Sequence, residues 1–263
     1  MLRWSINLFQ VFGIQLAVHV SFFLLLAYYG YDGWKDGGIS GLSWSISLIV
    51  LFFVCVVLHE LGHSLTARRF GVRVPRILLL PIGGMAEFDR IPKKPSEELL
   101  ITAAGPAVNF ALVILLLPLC FRTLLSGTEV AEFSSANLIA QLWLGNLLMG
   151  TFNLLPVFPM DGGRIFRALL AIKLPYLRAT YWAAMVGRVL ALLFAAAAAF
   201  YFDRQITCIL FLFIFWAGDA EYKHTLRRDE EERYWAQMAR PFAVDPSSRD
   251  DAGTPPLLTP GSN

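Results

Sequence analysis

The chain has 263 residues, of which 56% are hydrophobic and only 16% charged, and its mean hydropathy is +0.56. That is a membrane composition rather than a soluble one, and it points to a polytopic membrane protein. The net charge of +2 makes no case for nucleic acid, because the basic residues are spread over the loops between apolar runs.

In chain order, six runs are read as spans, using about 30 Å of hydrocarbon as the length to be crossed. The first covers residues 13–31. Arg3 precedes an uncharged stretch from Trp4 to Tyr31 that is too long for a secretory signal and has no small-residue cleavage site, so the N-terminus is expected to be retained. The second span, 43–67, contains His59-Glu60-Leu61-Gly62-His63. Two histidines four apart stand one above the other on a helix face and can share one Zn²⁺, while the glutamate beside the first can take a proton from a water activated there. Ionisable residues inside a spanning helix are costly, which makes them functional candidates by default.

The next segment, 72–88, has no helical periodicity and contains Pro75, Pro81 and Gly83-Gly84, so it is expected to form short strands or a loop at the membrane face. The third span covers 99–121 and the fourth 137–157. The fourth runs out into Asn153-Leu154-Leu155-Pro156-Val157-Phe158-Pro159-Met160-Asp161-Gly162-Gly163-Arg164. Its prolines and glycines break the helix, and irregular backbone at membrane depth survives only where protein or a water-filled cavity surrounds it. The fifth span, 179–202, carries Arg188, which must snorkel or meet a carboxylate. The sixth, 206–218, is short, and either crosses or re-enters. Residues 221–240 read as a charged cytoplasmic helix, and 241–263, rich in Pro, Ser, Asp and Gly, as a disordered tail. Cys55, Cys120 and Cys208 all fall in apolar runs and form no disulfide framework; Cys55, one turn before His59, is expected to be a small buried residue.

Charge alternation orients the chain. Arg68, Arg69, Arg73, Arg76, Arg90, Lys93 and Lys94 follow the second span, Arg164, Arg167, Lys173 and Arg178 the fourth, and Lys223, Arg227 and Arg228 the sixth. The opposite loops have only Lys35, Arg122 and Arg204. By the positive-inside rule both termini are cytoplasmic. The second span then runs inward and His63 stands about 7 Å above Arg68. A catalytic zinc needs three protein ligands and an open position, and Asp161, at the cytoplasmic end of another inward-running span, lies at a depth that can meet the histidines.

At this point the chain resembles the site-2 protease family of intramembrane zinc metalloproteases, in a compact six-span form. The resemblance rests on His-Glu-x-x-His at 59–63 and Asn-x-x-Pro-x-x-Pro-x-Asp-Gly-Gly at 153–163, and covers roughly residues 8–218. It implies His59, His63 and Asp161 as ligands of one Zn²⁺ per chain, Glu60 as general base, and Asn153 as a residue that hydrogen-bonds substrate or intermediate. Gly105-Pro106-Ala107-Val108-Asn109 and Val18-His19-Val20-Ser21-Phe22 also resemble family elements. Asn109 is expected either to pack or to touch the site, and His19 to make a hydrogen bond rather than bind metal.

The expected architecture is an all-α polytopic membrane protein of six transmembrane helices, with a small membrane-associated β element between spans two and three, and residues 1–220 forming the metalloprotease domain. The family uses that β element as an edge strand, which would compensate an unwound substrate with main-chain hydrogen bonds. The implied activity is hydrolysis of single-span membrane proteins near the cytoplasmic side, in a bacterial or archaeal cell membrane. No nucleotide-sensing CBS pair is expected after the last span. The competing reading is a zinc transporter or zinc-dependent scaffold, which would have no need of a general base at Glu60.

Overall fold

The computed structural model describes residues 4–90, 94–126, 134–201 and 205–239. Its elements are β1 (Ser5–Val11), β2 (Ile14–His19), α1 (Ser21–Arg69), β3 (Arg76–Leu80), β4 (Gly83–Glu87), α2 (Pro95–Ser126), α3 (Ser135–Asn153), α4 (Asp161–Ala171), α5 (Tyr176–Tyr201) and α6 (Gln205–Ala239). Residues from Lys223 onward form a second unit, whose described part is the charged end of α6, with an Arg233–Asp229 ion pair one turn apart. The tail 241–263 lies outside the described residues.

The β element is larger than expected and begins earlier. Four strands lie in the order β1-β2-β3-β4, so two of them precede the first helix, which starts at Ser21 and not at Gly13. Ser5 and Asn7 alternate with Ile6 and Leu8, a strand period that the long uncharged run masked. Phe12 (φ 50°) and Gly13 (φ 75°) occupy the left-handed region together, as a two-residue type I′ hairpin turn demands. β2 then pairs parallel with β3, with α1 as the crossover, and β3 pairs antiparallel with β4 through the Pro81-Ile82 turn. Ile14, Leu16, Val18, Ile77 and Leu79 bury themselves against Phe22, Phe53, Val56 and Leu61, so the core lies between the sheet and α1.

The first two expected spans both fall within α1. Its 49 residues would extend about 74 Å as one rod, more than twice the thickness of a bilayer core. Gly37 and Gly38 break it, Gly38 at φ 58° and ψ −138°, where a side chain would be strained. The two arms fold against each other: a Cβ on Gly33 would lie 2.5 Å from the Gly41 carbonyl oxygen.

Three described helices are long and apolar enough to cross a membrane: α1, α2 over Pro95–Phe121, and α5 over Tyr176–Ala197. Leu24, Ile114, Leu115 and Leu193 are exposed on them, as helices solvated by lipid require. The chain is thus a mostly helical, multi-pass membrane protein with a four-stranded sheet. α3 carries Asn137, Gln141, Asn146 and Asn153 among its apolar residues and ends at Asn153, before the proline-rich link. The basic loop expected after that link is helical over α4, and the sixth span and charged helix are one continuous α6. Arg188 finds its carboxylate there, pairing with Asp219 at 3.4 Å.

Candidate metal centre

The helix period of α1 places His59 and His63 on its inner face, 3% and 7% exposed, with their rings edge to face at 4.7 Å. Each ring is fixed from its far side. His59 Nδ1 meets Asn109 Oδ1 at 2.5 Å, and His63 Nδ1 meets the Ile101 carbonyl at 2.8 Å, both on α2. Asn109 in turn donates to Asn146 Oδ1 of α3 at 3.0 Å, and Asn146 to the Leu142 carbonyl at 2.8 Å. With the Nδ1 hydrogens committed outward, each neutral ring turns a lone pair on Nε2 toward the other.

Asp161 completes a triangle. Its Oδ2 lies 3.3 Å from His59 Nε2 and 3.2 Å from His63 Nε2, and the two Nε2 atoms are 3.1 Å apart. Oδ2 is buried and has no hydrogen-bond donor among the described residues. Three acceptors therefore converge on one point with no hydrogen between them. Ligand atoms at 2.0–2.2 Å around a tetrahedral Zn²⁺ stand about 3.3 Å apart, so the triangle fits such an ion and leaves one coordination position open. Among the described residues this is the one group of three potential ligands so arranged.

Close backbone approach makes the arrangement possible. A Cβ on Gly105 would lie 2.2 Å from His63 Nε2 and 2.8 Å from His59 Cε1, so α2 can pass the imidazoles only with a bare backbone there. A Cβ on Gly84 would lie 2.5 Å from Glu60 Cγ, which brings β4 alongside that carboxylate. Glu60, His59, His63, Asp161 and Asn153 all line one cavity of about 560 Å³, walled on one side by Gly83 to Ala86 of β4.

All five residues singled out from the sequence are therefore brought to one cavity. His19 is not: its Nδ1 bonds Ser21 Oγ at 2.6 Å at the head of α1. Cys55 is buried and outside the ligand triangle. Asn146, Ile101 and Gly105 were not recognised as parts of the site. Asn146 carried a legible signal, a polar side chain inside an apolar run; a supporting main-chain carbonyl carries none.

Together these features define a class: a polytopic membrane protein with a buried, three-ligand metal centre contributed by two helices. The chain belongs to Peptidase family M50, which matches residues 47–127 and 122–194. It is 44% identical over 204 residues to zinc metalloprotease MJ0392 of Methanocaldococcus jannaschii, covering 73% of this chain and 53% of that protein. It is 34% identical over 173 residues to putative zinc metalloprotease sll0528 of Synechocystis sp., covering 63% of this chain and 44% of that one. The chain thus spans about half the length of these curated relatives. Its fold is similar to that of the site-2 protease from Methanocaldococcus jannaschii, with a TM-score of 0.58, 39% identity, and coverage of 83% of this chain and 95% of that one.

Proposed function

We propose that the chain is an intramembrane zinc endopeptidase that hydrolyses peptide bonds in or near transmembrane segments of single-span membrane proteins. The observation that carries this reading is the acceptor triangle of His59, His63 and Asp161 sharing one cavity with Glu60. Zn²⁺ held there would supply Lewis acidity, making a water acidic enough to lose a proton near neutral pH and polarising the scissile carbonyl. Glu60 accepts that proton and passes it to the leaving amine nitrogen. Asn153, at the cavity wall, steadies the substrate backbone or the developing oxyanion, a contribution of about 3 kcal/mol for a single donor. Asn109 and the Ile101 carbonyl hold the two imidazoles in the ligating tautomer.

A helical substrate hides the backbone that must be cut, and β4 offers a remedy. It is the outer strand of the sheet and borders the cavity, so an unwound segment laid along it exchanges helical hydrogen bonds for strand pairing. In this reading six segments cross the bilayer, both termini are cytoplasmic, and cleavage falls near the cytoplasmic side, in keeping with the basic loops after residues 67, 157 and 218. The names of the relatives, and a carboxylate that ion transport does not require, weigh against a transporter or scaffold. Glu60→Gln is expected to retain stoichiometric zinc and to lose cleavage of a transmembrane test substrate in proteoliposomes. Retained cleavage would overturn the proposal.

A further inference from the structure

Outside the metal centre, the most buried charge among the described residues is Arg167 on α4, six positions after Asp161 and only 1% exposed. Its Nε and Nη2 donate to Glu98 Oε1 of α2 at 3.0 and 2.5 Å, and its Nη1 donates to Glu221 Oε1 of α6 at 2.7 Å. The guanidinium also lies 5.2 Å from the Phe158 ring centroid and 5.0 Å from that of Tyr176. Burial works against its charge, but Glu98 and Glu221 outweigh this and hold it protonated. Glu98 is 4% exposed and its Oε2 has no partner among the described residues, so the burial of this carboxylate is compensated at Oε1, chiefly by Arg167 and with the Tyr176 hydroxyl donating at 3.4 Å.

These contacts fall on segments that determine where Asp161 stands. Glu98 precedes by one turn of α2 the residue whose carbonyl holds His63, and by two turns the Gly105 backbone that passes both imidazoles. Phe158 belongs to the link that delivers Asp161 to the start of α4. A buried ion pair contributes little net stability compared with apolar residues of equal volume; what a planar guanidinium donating through all three nitrogens to fixed carboxylates supplies is direction. The direction here sets the rotation and height of α4 against the helix that orients His63.

We propose that Arg167 is a positioning residue for the metal centre: by locking α4 to Glu98 on α2, it brings Asp161 Oδ2 to the two imidazoles, and through Glu221 it makes α6 part of the same fixture. This rests on the proposed reading of the triangle as a metal site. It also makes a prediction that electrostatics alone does not. Removing a nearby positive charge should tighten zinc binding and removing a negative one should weaken it, whereas loss of positioning weakens binding in both cases.

The test uses the full chain in detergent, with zinc affinity from chelator competition and the visible absorption of the Co²⁺-substituted protein as a report on ligand geometry. Arg167→Met and Glu98→Gln are each expected to weaken zinc binding about ten- to a hundred-fold and to change the Co²⁺ spectrum. Arg167→Lys should restore part of both and Glu221→Gln should show a smaller loss. Arg188→Met, which removes a different arginine–carboxylate pair to α6, should leave both readouts unchanged. Wild-type affinity and spectrum in folded Arg167→Met and Glu98→Gln would overturn the positioning role, as would tighter binding in Arg167→Met or an equal loss in Arg188→Met. Should Arg167→Met fail to accumulate, Arg167→Lys and Glu98→Gln are judged by the same criteria. A wild-type chain that binds no zinc would overturn the metal-site reading itself.

Discussion

The ligand triangle and the Arg167 cluster are joined through one short helix, α4, on which Asp161 and Arg167 stand six residues apart, and both bury ionisable groups within an apolar protein. Arg167 brings its counter-charges with it: each guanidinium nitrogen donates to a carboxylate, and two aromatic rings cover its faces. The triangle does the reverse. His59 and His63 spend their Nδ1 donors outward and turn acceptors toward each other and toward Asp161 Oδ2 at 3.1–3.3 Å. A buried polar cluster that is complete in itself holds structure in place, whereas one that lacks a positive charge at its centre is built to receive it.

The strongest way to break this contrast is to remove the triangle's only anion. Asp161→Ala is expected to abolish stoichiometric zinc binding, since two neutral imidazoles remain and no third ligand stands within reach among the described residues. Atomic absorption on purified protein measures this directly. Full zinc occupancy in the variant would mean that the triangle is an ordinary polar cluster.

Next comes Gly105→Ala, which adds a single methyl group where the backbone of α2 meets the imidazoles. A Cβ 2.2 Å from His63 Nε2 forces the ring, the helix or both to move. Zinc affinity should fall sharply, and thermal stability by about 1–3 kcal/mol, the usual scale of overpacking. If only stability fell, the close approach would matter for packing alone.

Much of this centre was legible because its period and its chemistry coincide. His59, Glu60 and His63 follow the helix repeat, and a broken helix end with an aspartate at matching depth is an unusual thing to find in an apolar run. The β1–β2 hairpin was not legible in the same way. Its alternation of Ser5 and Asn7 with Ile6 and Leu8 is short and runs into the apolar stretch that becomes α1, so hydropathy averaged over a span's length absorbed it. Arg167 was hidden for another reason. In the sequence it is one of several basic residues after an apolar run, and its partner Glu98 lies 69 positions away; only the fold reveals that this arginine is buried.

Asn109→Ala should have an intermediate effect. It removes the acceptor for His59 Nδ1 and strands Asn146 Oδ1, so the ring loses its fixed tautomer while all three ligands stay in place. Zinc affinity is expected to fall about ten- to a hundred-fold, the range for groups that orient a ligand. A chelator titration resolves this from the complete loss expected of Asp161→Ala. Equal losses in the two would erase the distinction between holding the ion and holding the holder.

The smallest effect is expected at His19, and it sharpens the contrast from the other side. Of the four histidines in the chain, it too belongs to a motif that resembles the family and makes a short hydrogen bond, 2.6 Å to Ser21 Oγ. That bond stays within two residues, at the point where β2 ends and α1 begins, and among the described residues His19 belongs to no group of three potential metal ligands. Its geometry is that of a group already satisfied. His19→Ala should therefore cost about 1 kcal/mol of stability, the net worth of one hydrogen bond, read as a small fall in melting temperature. Zinc affinity should match that of the wild type. A fall in affinity comparable to that of Asn109→Ala would show that the head of α1 is mechanically coupled to the metal centre, and that satisfied and receptive polar groups cannot be told apart by local geometry alone.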